Sequence, residues 1–439
     1  MKRLATLPSG VSETLELVGR FDQALMHGFA RLGDDHRQGL DALTEVFAGS
    51  PLGEAVREAV ESVGRAEFLP RSFLALASAR VALLGAVHDA LVAQVRTVLG
   101  RPGSVENENE FPSSRPPGSS ATTLASTQQW LTELAISGLN HLEEPSVAPF
   151  AATLERLQAT SDLVGLASLL TGFSNELLRG MSGSGSSSSK KQRDRPAFRW
   201  ADLWSGAMVR TQELPAIPRF QEVAGTFTPL GLELQGHENF ACAILHGIFD
   251  EGSARHVRIP LQSYKVGAIS GPLIWDLFTP FAAPILSAIE GHKCLLISAG
   301  ELREDGSLIL RSAPKVGPAS DPFAAAKGLT SLPTPPPLLR HPVHLAEPVH
   351  LTERTDLPLA VERLSDAPDL AKAVEEGASE MVGLLRFDRG GWRIQPLCAR
   401  TKKGFLMNGE GIATARKKVK ERPLDVLQER AGRLLRNKS

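Results

Sequence analysis

The residues of this chain best suited to chemistry by type and spacing are histidines. His341, His344 and His350 crowd into HPVHLAEPVHL, where the unit PVHLAE is followed at once by PVHLTE. Imidazole nitrogens serve as metal ligands and general bases, so the cluster raises the question of a zinc site. On an extended strand His344 and His350 would share a face about 20 Å apart at roughly 3.3 Å per residue, with His341 pointing the other way. A shared zinc ion holds its ligands at about 2.0–2.1 Å, so the spacing argues against one, and the prolines suit an edge strand or a linker. Cys242 and His246 in FACAILHGIF could meet only on a helix, and the apolar run predicts a core strand instead. A nucleophile elbow GxSxG is missing, and the serines of SGSGSSSS belong to a low-complexity run. Neither a GxxxxGK[ST] loop nor a GxGxxG turn is present to cradle phosphates. The adjacent carboxylates Glu143 with Glu144, and Glu375 with Glu376, diverge on helices and read as solvated faces. Cys242, Cys294 and Cys398 form no CxxC pair, which predicts packed thiols in a reducing compartment. The expectation is therefore no catalytic residue, no metal and no cofactor.

Two other groups could bind rather than react. Trp200 and Trp204 stand four apart in FRWADLWSGAMVR, one helical face, and exposed aromatics anchor protein partners well. The second group is basic: Arg416, Lys417, Lys418, Lys420 and Arg422 precede an amphipathic run with Leu424, Leu427, Ala431 and Leu434 on one face and Arg430 and Arg433 on another. Residues 398–439 hold 12 Lys+Arg against 4 Asp+Glu, an excess of +8 in a chain whose net charge is -1. Such a tail suits a nucleic-acid backbone, an anionic surface or an acidic partner groove.

The elements that must position these residues divide the 439-residue chain, whose 42% apolar and 22% charged content suits globular folding in two or three domains. Val18, Phe21, Leu25, Phe29 and Leu32 form a helical stripe with Ser12 as its expected N-cap. Similar stripes follow at Leu40, Leu43 and Phe47, at Leu84, Val87, Leu91 and Val95, and from Thr123 to Arg179. Residues 1–180 thus read as an all-helical bundle interrupted by a disordered, proline-bearing loop at 101–121. Gly/Ser-rich 181–195 reads as a flexible linker and the main domain boundary. Residues 196–313 then read as an α+β domain: strands in GTFTPLGLELQ, FACAILHGIF and ARHVRIPL, a helix after Pro280, and a hairpin turning at Glu304 to Gly306. Residues 314–343 form a proline-rich connection, and 344–439 a small β-hairpin module, turning at Asp388 to Gly391, with a basic C-terminal helix. The fold class expected is an all-α N-terminal half and a mixed α/β C-terminal half. The N-terminus lacks the apolar core of a signal peptide, and no run of about 18 apolar residues suggests a membrane span, so a cytoplasmic location is expected.

The segment RWADLWSGAMVRTQ, followed by GTFTPLGLEL, resembles uncharacterised bacterial accessory proteins associated with MoxR-type AAA ATPases and von Willebrand A-domain proteins. The resemblance implies an accessory or adaptor role beside an ATPase and carries over no site residue. The leading expectation is a non-enzymatic scaffold or adaptor with a protein partner. Its rivals are a nucleic-acid-binding module using the basic tail, and an enzyme whose composite site would gather His237, His246 or His256 beside carboxylates.

Overall fold

The computed structural model describes residues 2–101, 121–160, 163–182, 197–212, 220–236, 240–327, 329–335, 337–364, 367–402, 404–419 and 422–436. The loop expected at 101–121 and the linker expected at 181–195 lie almost wholly outside these residues, as does His237.

The N-terminal half is helical: α1 (Val11–His27), α2 (Asp34–Val46), α3 (Gly53–Gly64), α4 (Pro70–Val98), α5 (Ala121–Ser137), α6 (Glu144–Val147), α7 (Ala151–Gln158), α8 (Val164–Ser182) and α9 (Ala197–Arg210). The stripe read from sequence is the one that α1 buries, with Val18, Phe21 and Leu25 all inside. Its first turn is preceded by Gly10 in a left-handed conformation, φ 84°, so Ser12 lies within the helix and does not cap it. The helices expected from Thr123 to Arg179 are present, and the first of them, α5, ends at Gly138, at φ 85° and ψ 132°. Gly28 at φ 103° and ψ 133° ends α1 in the same way. Each glycine is followed by a three-residue 3-10 turn, Phe29–Arg31 in one case and Leu139–His141 in the other. The two turns lie back to back. A methyl group on Gly28 would sit 2.7 Å from the Ser137 carbonyl oxygen, and one on Gly138 would sit 2.4 Å from that of His27.

The C-terminal half is built on two antiparallel sheets. The first has the order β3-β2-β1-β4-β5 from β1 (Phe220–Gly236), β2 (Phe240–Asp250), β3 (Ala254–Tyr264), β4 (Lys293–Arg303) and β5 (Leu308–Leu310), with β6 (Lys315–Ala319) also on β4. The second has the order β10-β9-β8-β7 from β7 (Glu347–Leu351), β8 (Glu380–Asp388), β9 (Gly391–Thr401) and β10 (Gly404–Met407). Helices α10 (Ala282–Glu290), α11 (Pro322–Ala326), α12 (Pro368–Glu375), α13 (Glu410–Lys418) and α14 (Pro423–Arg436) complete the chain. The fold is thus a helical N-terminal half with a β-sheet C-terminal half. Within the proline-rich connection, β6 and α11 are regular elements: Pro318 needs no ladder donor on this short strand, and the Asp321 carboxylate accepts from the Phe323 N–H at 2.9 Å to start α11.

Two boundaries expected from sequence fall elsewhere, and a third joint ties the halves together. Helix α9, read as the opening of the α+β domain, packs into the helical core through Trp200, Ala201, Trp204 and Met208, beside Leu170 and Phe173 of α8. The serine-rich stretch therefore connects two helices of one bundle. The second sheet is not a separate module either, since Val382, Leu384 and Leu397 share one core with Phe227, Leu232 and Leu245 of the first sheet. At their junction Gly231 admits the backbone of Leu397, whose carbonyl oxygen would lie 2.8 Å from a methyl group there. The third joint is α4. Its first half, with Phe73, Leu76 and Leu83, is in the helical core, while Val87, Leu91 and Val95 pack with Leu345, Val349, Leu385 and Trp392 from the β half. α4 is long and apolar enough to cross a membrane by length and composition, and its apolar positions are spent on these two cores.

Candidate functional site

Where α4 meets the two sheets, the chain leaves a cleft of about 790 Å³. Its polar lining comes from α4 and both sheets: His88 and Arg96 from α4, Glu233 from β1, His246 from β2, Arg258 from β3, and Arg386 from β8. Leu332 to Pro335, His344 and Asn408 close the remaining sides. The segment that carries the histidine repeat is held down at its start. Arg340 pairs with Asp89 of α4 at 3.1 Å, and His341 Nε2 lies 3.2 Å from Asp202 Oδ1 of α9. Asp202 in turn faces Arg80 Nη1 at 2.7 Å, while Arg80 grips Asp22 with two bonds of 2.6 and 3.0 Å. Burial pushes the Asp22 carboxyl up to about 6 against the pull of Arg80.

The floor of the cleft is a buried ionic group. Glu233 Oε1 accepts from Arg363 Nη1 at 2.9 Å, and Oε2 accepts from Arg386 Nη2 at 2.9 Å. Arg386 also donates to Gln395 Oε1 at 2.5 Å, and Arg363 Nε lies 3.5 Å from Asp388. Burial pushes Arg386 down to about 10, partly offset by Glu233, so it stays charged at neutral pH. Arg258 donates to Ser307 Oγ at 3.3 Å and lies 3.5 Å from the Asp305 carboxylate. Glu347 is met by Arg101 at 2.9 Å.

His246 of the cleft and His256 stand on neighbouring strands, their rings parallel within 10° and 5.9 Å apart. They are only 2% and 3% exposed, and none of their four ring nitrogens has a hydrogen-bond partner. His246 Nε2 is 3.9 Å from Glu233 Oε2, too long for a hydrogen bond. Burial is the main cause lowering both imidazole pKa values, so the rings are held neutral. Composite sites of this kind leave a trace in sequence: Glu233 in GLEL and Arg386 in LLRF are single charges inside apolar strand runs.

The residues singled out from sequence are placed as follows. Trp200 and Trp204 are buried in the bundle, and Trp204 Nε1 donates to the Leu131 carbonyl oxygen at 2.9 Å, so the pair is core and presents no surface to a partner. Arg416 is committed to Asp276 through bonds of 2.8 and 2.6 Å, and Lys417 pairs with Glu290. Those two cations are neutralised within the fold. Lys418 and Arg422 are exposed, Lys420 lies outside the described residues, and Arg430 and Arg433 fall on α14 with side chains outside them. The three histidines of the repeat part company: His341 goes to Asp202, His344 lines the cleft, and His350 Nε2 lies 2.8 Å from Glu380. Among the described residues no group of three or more His, Cys, Asp or Glu could hold a metal ion.

The chain matches no known family model, no curated protein and no solved structure.

Proposed function

We propose that the chain is a non-enzymatic scaffold or adaptor of a bacterial cytoplasmic multiprotein system, one in which an AAA ATPase is a fitting partner. The observation that carries this reading is the composition of the cleft, whose walls come from α4, both sheets and the strap that follows Leu332. Anything seated there touches the helical and the β half together, so occupancy would be felt on both outer surfaces. A surface suited to a protein partner is α14, on which Leu424 is 61% and Leu427 39% exposed while Val426 packs inward. An amphipathic helix with free leucines and basic neighbours fits an acidic-rimmed apolar groove. Cross-linking in the native cytoplasm should capture a defined partner, and the double variant Leu424→Glu with Leu427→Glu should lose it. Capture of nothing by the wild type, or of the same partner by the double variant, would remove the basis of this reading.

A second reading, an enzyme with a composite site, draws on His246 standing beside Glu233 in a cleft. Both Glu233 oxygens already accept from arginines, which leaves the neutral imidazole as the base and water as the nucleophile. A panel of carboxylic and phosphoric esters should then reveal a hydrolysis that His246→Ala abolishes. If no ester in the panel is turned over by the wild type, this second reading is discarded.

A further inference from the structure

We propose that the central cleft binds a small amphiphilic oxyanion, an organic carboxylate or phosphate, whose charged end is received by Arg96 and His246. This deepens the reading of the cleft as a binding site and does not depend on which partner α14 meets. The arginines of the floor and far wall are already matched: Arg363 and Arg386 to Glu233, and Arg258 to Asp305. Arg96 is not. Its Nη2 reaches only neutral oxygens, the Leu332 carbonyl and Thr334 Oγ1, each at 3.4 Å, and its Nε is buried without a partner. A guanidinium is always charged and prefers a two-oxygen acceptor, so Arg96 suits an oxyanion. His246, held neutral, offers one N–H donor among its two buried and unbonded ring nitrogens at the same cleft. A buried donor without a partner is costly, and an incoming acceptor would recover that cost.

Arg258 and Arg386 act on both His246 and His344, against Glu233 at the first and Asp202 at the second. Val92, Leu234, Ile244 and Leu339 supply an apolar wall for the body of the ligand. The cleft volume lies within the range of about 300–1,000 Å³ typical of small-molecule sites.

The test uses the full chain in thermal unfolding titrations with hexanoate and with hexyl phosphate, and with hexanol as the neutral control. At least one anion should raise the unfolding midpoint in a saturable manner while hexanol does not, and the responding anion identifies the head group. Arg96→Gln should weaken that anion by about ten-fold or more, as loss of a charge-assisted hydrogen bond does. His246→Gln, checked for native circular dichroism, provides a second arm and should weaken it as well. No midpoint shift with either anion at tens of millimolar, or folded variants that bind as the wild type does, would overturn the proposal. Either of those results with partner capture intact overturns the ligand and leaves the adaptor reading in place.

Discussion

A carboxylate buried between two guanidiniums, as Glu233 is between Arg363 and Arg386, stabilises mainly by preventing something worse. Removing its charge leaves Arg386 in a site with almost no water. Glu233→Gln is therefore expected to cost about 3–5 kcal/mol in denaturant unfolding, whereas replacing a surface partner such as Glu54 of the exposed Arg57 pair should change little. The neutral histidines set an acid limit with a definite sign. His246 and His256 have folded pKa values below the ordinary 6.5, so their contribution is complete above that pH and is lost as pH falls through the depressed values. Asp22, raised from 3.8 to about 6, acts oppositely, contributing below 3.8 and fading as pH rises through 6. Unfolding midpoints measured from pH 7 down to pH 5 should therefore fall, and His246→Asn with His256→Asn should flatten that slope. An unchanged slope in the double variant would show that the two rings are not its source. Little of this was legible in the sequence. Glu233 and Arg386 each stand out locally, but they are 153 positions apart, and only the packing of β1 on the second sheet brings them within 2.9 Å.

At the scale of elements, the paired turns of the helical half have the sharpest consequence. Gly28 and Gly138 occupy positive-φ backbone that a side chain strains, and each faces the other's turn at a distance where no Cβ fits. Gly28→Ala should lower stability by at least about 1–3 kcal/mol, while Gly165→Ala, at a helical position with nothing within 4 Å, should be neutral or slightly favourable. Chemical denaturation of the two variants side by side distinguishes these outcomes. Apolar periodicity was enough to place the stripe of α1, the strands around FACAILHGIF and ARHVRIPL, and the hairpin turning at Glu304 to Gly306, since each depends on neighbours in sequence. Periodicity does not fix where an element is stopped by a contact. Gly138 halts α5 because another turn lies against it, and a lone glycine in an apolar helical run does not announce that. β6 and α11 were hidden among prolines, whose usual reading is an extended connection.

For the molecule as a whole, the sequence suggested two interiors separated at a serine-rich joint, and the packing instead runs α4 through both. Leu91 is fully buried among residues of the β half, and Leu76 of the same helix is fully buried in the bundle. Trp392 Nε1 adds a bond of 2.9 Å to Gln94 Oε1 across the junction. Leu91→Ala should cost about 2–5 kcal/mol, and far-ultraviolet dichroism and tryptophan fluorescence should report one common transition before and after the change. Two separated transitions in the wild type would show that the shared helix does not couple the halves. The joint misled because low-complexity composition predicts a lack of burial at the joint itself and says nothing about whether the segments on either side belong to one core.

A helix that serves two cores also fixes their relative phase. Each residue turns α4 by about 100°, so inserting one alanine between Leu84 and Val87 would swing the downstream stripe away from the sheets while leaving composition and hydropathy nearly untouched. Inserting seven residues, close to two full turns, would restore the angle but push the sheets outward by about 10 Å along the axis. The length of this one rod, counted in whole residues, thus acts as a vernier on the mouth of the cleft, and drift in it is open only to changes that reset both ends at once.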